Sequence, residues 1–269
     1  MKNIVLILFI GVLSVFALLA CSSQEKSSNV IRVGTISGPE TQLMEVAKEI
    51  ARKKFGLTVN IIEFSDYALP NAALADGSLD ANVFQHQPYL EEDIKTKHYK
   101  LSIIGKTFIY PMGIYSKTVS KSDLGHLKDN AIVAIPNDPS NEGRALLLLQ
   151  QAGLIQLKPG VGFSAVPNDI SGNPKHIQIK EIDAPQLPRV LQDVDLAVIN
   201  TNYASLADLY PDRDALFVEK KESPYANIIV VRTTDIDNPK LRHLVEALHS
   251  SEVKDAAKIL FKGQAYPAW

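Results

Sequence analysis

Residues 131–153 read AIVAIPNDPSNEGRALLLLQQAG, and the order of patterns within them decides the architecture. A short apolar run, Ile132 to Ile135, meets a loop carrying Pro136 and Pro139, and a helical pattern follows until Gly153 stops it. The same plan occurs nearer the start. VIRVGTI (Val30–Ile36) reads as a strand and TQLMEVAKEIARKKFG as a helix, with Leu43, Val46, Ala47, Ile50 and Ala51 on one stripe and Gly56 as the stop. Both halves then continue alike. TVNIIEF leads into NAALADGSLDANVF, and IQIKEI leads into LPRVLQDVDLAVIN, each giving strand, helix, acidic turn and strand. Such alternation predicts an α/β fold with parallel sheets, and two copies of the plan predict two lobes.

Two extended runs, GKTFIYPMGIYS (Gly105–Ser116) and YANIIVVRT (Tyr225–Thr233), lie between the halves and are candidates for two crossover segments. They put residues 30–109 and 229–269 in lobe 1 and residues 110–228 in lobe 2, with the last two helical patterns returning to lobe 1. In open α/β sheets, ligands gather outside the carboxyl ends of strands, beside helix amino termini. Four such ends are present here: Gly38-Pro39, Phe84–His86, Asn137–Arg144 and Asn200. Lobes that face each other would bring all four to one cleft.

The chain opens MKNIVLILFIGVLSVFALLACSSQEKSS, with Lys2 before an uncharged apolar run that ends in LLAC. This layout predicts a lipoprotein signal peptide over residues 1–20, cleaved before a lipid-carrying Cys21, and a flexible tether over residues 21–29. A membrane-spanning anchor is the alternative reading of the same run. Cys21 is the single cysteine, so no internal disulfide is possible and an exported chain must rely on an ordinary core. The net charge is −2 and the one basic cluster, Arg52–Lys54, is short, which excludes nucleic acid as an expected partner.

Arg144 follows Asn141 by one helical step, so both project from the same face. A guanidinium offers a planar fork that fits a carboxylate with two parallel bonds, although a surface ion pair is the commoner use of an arginine. Asn200 and Asn227 each carry an amide suited to an α-ammonium, or serve only to close turns. Tyr67, Phe84 and Tyr89 could line a ring-walled slot or simply pack in the core. In DANVFQHQPYL, strict alternation puts Asn82, Phe84 and His86 on one face, and Ala81, Val83 and Gln85 on the other. His86 has no histidine partner at zinc spacing, so metal is not expected. There is no G-x-S-x-G, no glycine-rich phosphate loop before a lysine and no available thiol nucleophile, so neither catalysis nor a cofactor is expected. These features favour a binder. A hydrolase or lyase acting on an amino-acid derivative is the rival class, since triads are defined by geometry.

The segments NVFQHQPYL, KTFIYPMGIYSK, EIDAPQLPRVLQDVDLAVINTNYA and ESPYANIIVVR, with the stretch quoted first, resemble the methionine-binding lipoproteins of ABC importers, the NlpA/MetQ family. The resemblance runs from Ile31 to Trp269. It implies a bilobal periplasmic-binding-protein-like fold that closes over L-methionine or a related amino acid and delivers it to a membrane permease. It further implies that Arg144, aided by Asn141, grips the α-carboxylate, that Asn200 and Asn227 hold the head group, and that Tyr67, Phe84, His86 and Tyr89 surround the thioether. A receptor for another amino acid or a short peptide is the nearest alternative. The expected location is a bacterial membrane, through lipid on Cys21, facing the periplasm or the cell exterior. This chain departs from the family pattern at Glu40-Thr41, where His-Ala is common, and at Asn202.

Overall fold

The computed structural model describes residues 29–269. The expected signal peptide, Cys21 and all of the tether except Asn29 lie outside the described residues. Among those described, no helix is long and apolar enough to cross a membrane.

Two sheets carry the two halves. The first runs in the order β13-β4-β12-β3-β1-β2, built from β1 (Val30–Ile36), β2 (Thr58–Phe64), β3 (Ala81–His86), β4 (Leu101–Ile109), β12 (Ala226–Arg232) and β13 (Tyr266–Pro267). The second runs β11-β5-β10-β6-β9, from β5 (Gly113–Tyr115), β6 (Ile132–Pro136), β9 (Gln178–Ile182), β10 (Leu196–Ile199) and β11 (Phe217–Val218). A small hairpin-like pair, β7 (Gln156–Leu157) and β8 (Ile170–Gly172), stands apart. The strands named by the alternating pattern pair in parallel: β1 with β2 and β3, and β6 with β9 and β10. The chain leaves the first sheet between β4 and β5 and returns to it between β11 and β12. Because β12 joins the first sheet from Ala226, that sheet takes Asn227, which the sequence placed in lobe 2.

Helix α1 (Pro39–Phe55) buries Leu43, Met44, Ala47, Ile50 and Ala51, and Gly56 ends it in the left-handed conformation that glycine adopts without a Cβ penalty. Its apolar stripe packs with Leu241, Leu244 and Leu248 of α8 (Pro239–Leu248) and Val253 and Ala257 of α9 (Ser251–Leu260) against the first sheet. On the other face, α2 (Pro70–Ala75) and α3 (Gln87–Lys97) cover Leu101, Ile228 and Val230. In the second half, α4 (Pro139–Gln151) buries Ala145, Leu146, Leu148 and Leu149 beside Val133, Leu196 and Val198. Shorter helices, α5 (Leu187–Val190), α6 (Thr201–Leu206) and α7 (Pro211–Asp214), complete it. The helix expected over LPRVLQDV is only the single turn α5, with Pro188 in its first turn, where proline is tolerated, and after it Asp193 N–H closes a turn onto the Val190 carbonyl. One apolar cluster bridges the halves, joining Ile36, Phe84 and Tyr89 to Ile199, Tyr203 and Ala204.

Strict alternation fails in β3. Its partner register steps from His86 opposite Asn227 to Val83 opposite Ile229, so Phe84 and Gln85 together oppose one residue of β12. This is a β-bulge, and it re-aims the side chains around it. Asn82 therefore does not share the expected pocket face. It meets Gln85 (Nε2 to Asn82 Oδ1, 3.0 Å) and donates to Asn71 Oδ1 at 2.9 Å, in a buried amide network that continues to Asp93.

Candidate ligand-binding site

Three of the four strand ends meet at one space, and the first reaches it only through Glu40, which bonds Asn202 and Asn227. Between the halves lies a tight cavity, with about 20 Å³ free for the centre of a water-sized sphere, whose lining includes Tyr67, Phe84, His86, Tyr89, Asn141, Arg144, Asn200 and Asn227. All eight residues singled out from the sequence thus meet in one space. Gln85, Tyr110, Thr201 and Asn202 also line it.

The first half supplies the rings. His86 is the N-cap of α3, and its Nδ1 accepts the Tyr89 N–H at 3.3 Å. Phe84, Tyr67 and Tyr89 surround one another with ring centroids 5.8–6.0 Å apart, in tilted and edge-on arrangements that aromatic quadrupoles favour. The Tyr89 hydroxyl donates to the Tyr67 carbonyl at 2.9 Å. From the second half, Tyr203 closes on Tyr67 at 5.0 Å.

The second half supplies an amide relay. Asp138 caps α4 by accepting the Asn141 N–H at 3.0 Å, and its two oxygens also take the Asn141 side-chain amide at 3.0 and 3.1 Å. That orientation leaves Asn141 Oδ1 to accept from Asn200 Nδ2 at 2.8 Å and to face His86 Nε2 at 3.1 Å. Since Nδ1 of His86 is already an acceptor, Nε2 carries the proton and donates across the cleft. Burial, and then the charge of Arg144, push His86 down to about 3, so the ring is a neutral donor rather than a cation.

Arg144 lies just past Gly143, where any Cβ would meet the Phe163 carbonyl oxygen at 2.2 Å, so glycine lets the 162–165 segment seat against the helix. The guanidinium lies under the Tyr225 ring, 4.3 Å from its centroid. Its fork is occupied by the protein itself. Nε donates to Glu219 Oε1 at 3.0 Å and Nη2 to Glu219 Oε2 at 2.5 Å, while Nη2 also reaches the Tyr110 carbonyl at 3.0 Å. Glu219 further accepts the Met112 N–H at 3.2 Å. The carboxylate that matches the fork is thus Glu219, and among the described residues no protein oxygen takes Nη1.

Behind Asn202 and Asn227 of the lining stands an acid. Glu40, in the first turn of α1, is buried and accepts Asn227 Nδ2 at 2.7 Å and Asn202 Nδ2 at 2.8 Å. Burial raises it to about 8 against the pull of the two amides. Thr41 turns away and bonds Thr35 and the Ile36 carbonyl. Two amide oxygens at the cavity, Asn200 Oδ1 and Asn202 Oδ1, are buried with no hydrogen-bond partner. Only an acid directly after Gly-Pro, at a strand-to-helix turn, hinted at Glu40. Nothing local to Glu219 hints at its pairing. Among the described residues, no three His, Cys, Asp or Glu side chains stand together as a metal site.

Two α/β lobes enclosing a polar, ring-walled cavity at the carboxyl ends of their strands define a bilobal solute-binding protein. The model of the NlpA lipoprotein family matches residues 31–269, and the chain belongs to that family. It is 51% identical over 255 residues, 94% of this chain and 93% of the other, to the D-methionine-binding lipoprotein MetQ of Salmonella typhimurium. A solved ABC-transporter periplasmic substrate-binding protein from Coxiella burnetii is similar with a TM-score of 0.85 and 59% identity, covering 88% of this chain and all of that one. A nutrient-binding protein from Burkholderia cenocepacia, bound to methionine, is similar with a TM-score of 0.87 and 52% identity over 89% of this chain and all of that one.

Proposed function

We propose that this protein captures methionine, or a close relative of it, between its lobes and hands it to an ABC permease while lipid on Cys21 holds it at a membrane. Within this reading the lobes are the two sheets with their helices, lobe 1 from residues 30–109 and the carboxy-terminal stretch, lobe 2 from the segment between them. The observation that carries it is a set of unmatched groups. Among the described residues, Asn200 Oδ1 and Asn202 Oδ1 lack donors, the protein bonds of Arg144 use Nε and Nη2 and leave Nη1, and aromatic rings bound the rest of the space. A zwitterion with an apolar tail supplies the missing ammonium donors, the missing carboxylate and the missing apolar contacts together. The names of the relatives agree in kind.

The carboxylate sits against Arg144 Nη1 with the Asn141 relay beside it, and the ammonium sits against Asn200, Asn202 and Asn227. The thioether lies among Tyr67, Phe84, His86 and Tyr89. Each charge-assisted bond adds about 1.5–3 kcal/mol, burying the side chain roughly 1.5–3, and each sulfur–ring contact about 0.3–1.5. After association and closure costs, this supports binding beyond about −8 kcal/mol, the submicromolar range. Closure is a hinge motion about the two crossings, favoured by contacts made only when the lobes meet.

Isothermal titration with L- and D-methionine, leucine and Gly-Met tests the reading. Submicromolar methionine binding with leucine at least tenfold weaker is the expected result. No heat with either enantiomer, or conversion of the ligand to product, ends it.

A further inference from the structure

Glu40 lies directly behind two residues of the cavity lining, Asn202 and Asn227, and its surroundings differ from those of Arg144. Glu40 has no cation: its two oxygens are met by neutral amides, Asn227 from β12 and Asn202 from α6. The guanidinium in the cavity lining, Arg144, is already neutralised by Glu219. A buried carboxyl without a counter-charge is costly and stays protonated unless a cation arrives.

We propose that Glu40 is the acidic counter-group for the ligand's α-ammonium, and that by binding the amide nitrogens of Asn202 and Asn227 it makes the site demand a free amino group. This rests on the amino-acid reading of the same cavity. An ionised carboxylate only accepts, so it fixes Nδ2 of both asparagines toward itself and leaves the carbonyl oxygen of Asn202 for the ligand. That oxygen and the one on Asn200 are, among the described residues, the two amide oxygens of the cavity lining that are buried without a donor. An ammonium brings three N–H donors and a positive charge to this spot. An α-hydroxy acid brings one O–H and no charge, leaving a buried acceptor unmatched, and sites of this kind reject such analogues strongly.

A proton is coupled to the event. The ionisable groups facing Glu40 are the phenols of Tyr67, Tyr110 and Tyr203, each pushed up by burial and by the Glu40 charge, so they remain neutral. With Glu40 raised to about 8, ligand-free protein at pH 7 holds a proton there. The incoming ammonium stabilises the carboxylate, and that proton leaves for solvent.

The test is titration calorimetry at pH 7 in phosphate and in Tris, with methionine and with 2-hydroxy-4-(methylthio)butanoate, on the wild-type protein and on Glu40→Gln. Wild-type protein should prefer methionine over the hydroxy acid by at least about 100-fold and release a large fraction of one proton, seen as a buffer-dependent heat. Glu40→Gln should bind methionine at least about tenfold more weakly, discriminate by under about tenfold and lose the buffer dependence. The proposal is overturned if Glu40→Gln keeps both the discrimination and the proton release. It is equally overturned, without any variant, if wild-type protein binds methionine with neither. Wild-type protein that binds no methionine at all sinks the underlying function instead, a distinct result.

Discussion

Two buried charges, Arg144 in the cavity lining and Glu40 behind it, are handled in opposite ways. At one end the cation is paired before any ligand arrives: Arg144 is locked by two bonds to Glu219, in the crossing between β11 and β12, and by a third to the Tyr110 carbonyl, in the crossing between β4 and β5. At the other end Glu40 is held by amides alone. The first arrangement is structural as well as receptive. It fixes a guanidinium at the pivot of the lobes, where a ligand carboxylate adds to an existing network. The second is incomplete until a cation fills it. The contrast places the ligand's carboxylate at a rigid point and makes its ammonium the element whose arrival changes protonation.

The largest expected effect tests the unpaired end. Glu40 titrates near 4.5 when unfolded and near 8 when folded, so the folded state holds more protons between those values. Its contribution to stability is therefore fully present below about pH 4.5 and is lost as pH rises toward 8, by up to about 5 kcal/mol at 1.36 per unit. His86 works the other way. Lowered to about 3, it contributes stability above about 6.5 that is lost as pH falls. Denaturation of wild-type protein and Glu40→Gln from pH 4.5 to 8 isolates the first slope, because His86 and the raised carboxyl of Glu142 cancel in the difference. A flat difference would erase the distinction between the two ends.

Next comes the paired end. Glu219→Ala leaves a buried guanidinium unmatched and should destabilise the protein by about 3–5 kcal/mol in urea unfolding. Arg144→Ala exposes the same problem from the other side. Were Arg144 only a ligand contact, this variant would keep its fold and lose methionine affinity alone. The Glu219 contact means that it loses stability as well, with affinity down at least roughly tenfold, about 1.5–3 kcal/mol. The double variant Arg144→Met with Glu219→Leu should regain most of the stability, since well-packed apolar groups replace buried ion pairs at little cost, yet not regain binding. Recovery of both would show that Arg144 never meets the ligand.

The strand–loop–helix plan and the eight cavity residues were legible because each rests on a local pattern: β-branched runs, a helical stripe, glycine stops, an asparagine or a ring at a strand end; the expected second crossing, Tyr225–Thr233, is instead almost wholly the strand β12. What was hidden depends on distance or on irregularity. Glu219 lies in an irregular return segment far along the chain from Arg144, and no spacing rule connects them. The bulge in β3 is a property of pairing with β12, so alternation misplaced Asn82 while placing Phe84 and His86 at the cavity. Glu40 occupies the first turn of a helix, where an acid is ordinarily explained by the helix dipole alone, and only the closed lobes bring Asn202 to it.

The smallest expected effect concerns what holds the lobes shut over the rings. Tyr203 meets Tyr67 face-on at a tilt, 5.0 Å between centroids, while its hydroxyl reaches the Ser65 carbonyl only at 3.5 Å. A hydrogen bond that long contributes little, whereas the ring contact survives loss of the oxygen. Tyr203→Phe should thus shift methionine affinity by under about 0.5 kcal/mol, and Tyr89→Phe, which loses a 2.9 Å bond to the Tyr67 carbonyl, by about 0.5–1.5. Calorimetry in which Tyr203→Phe costs more than Tyr89→Phe would move the weight of closure from the apolar rings to the polar rim, and with it the view that the aromatic wall, rather than either charged end, seals the cleft.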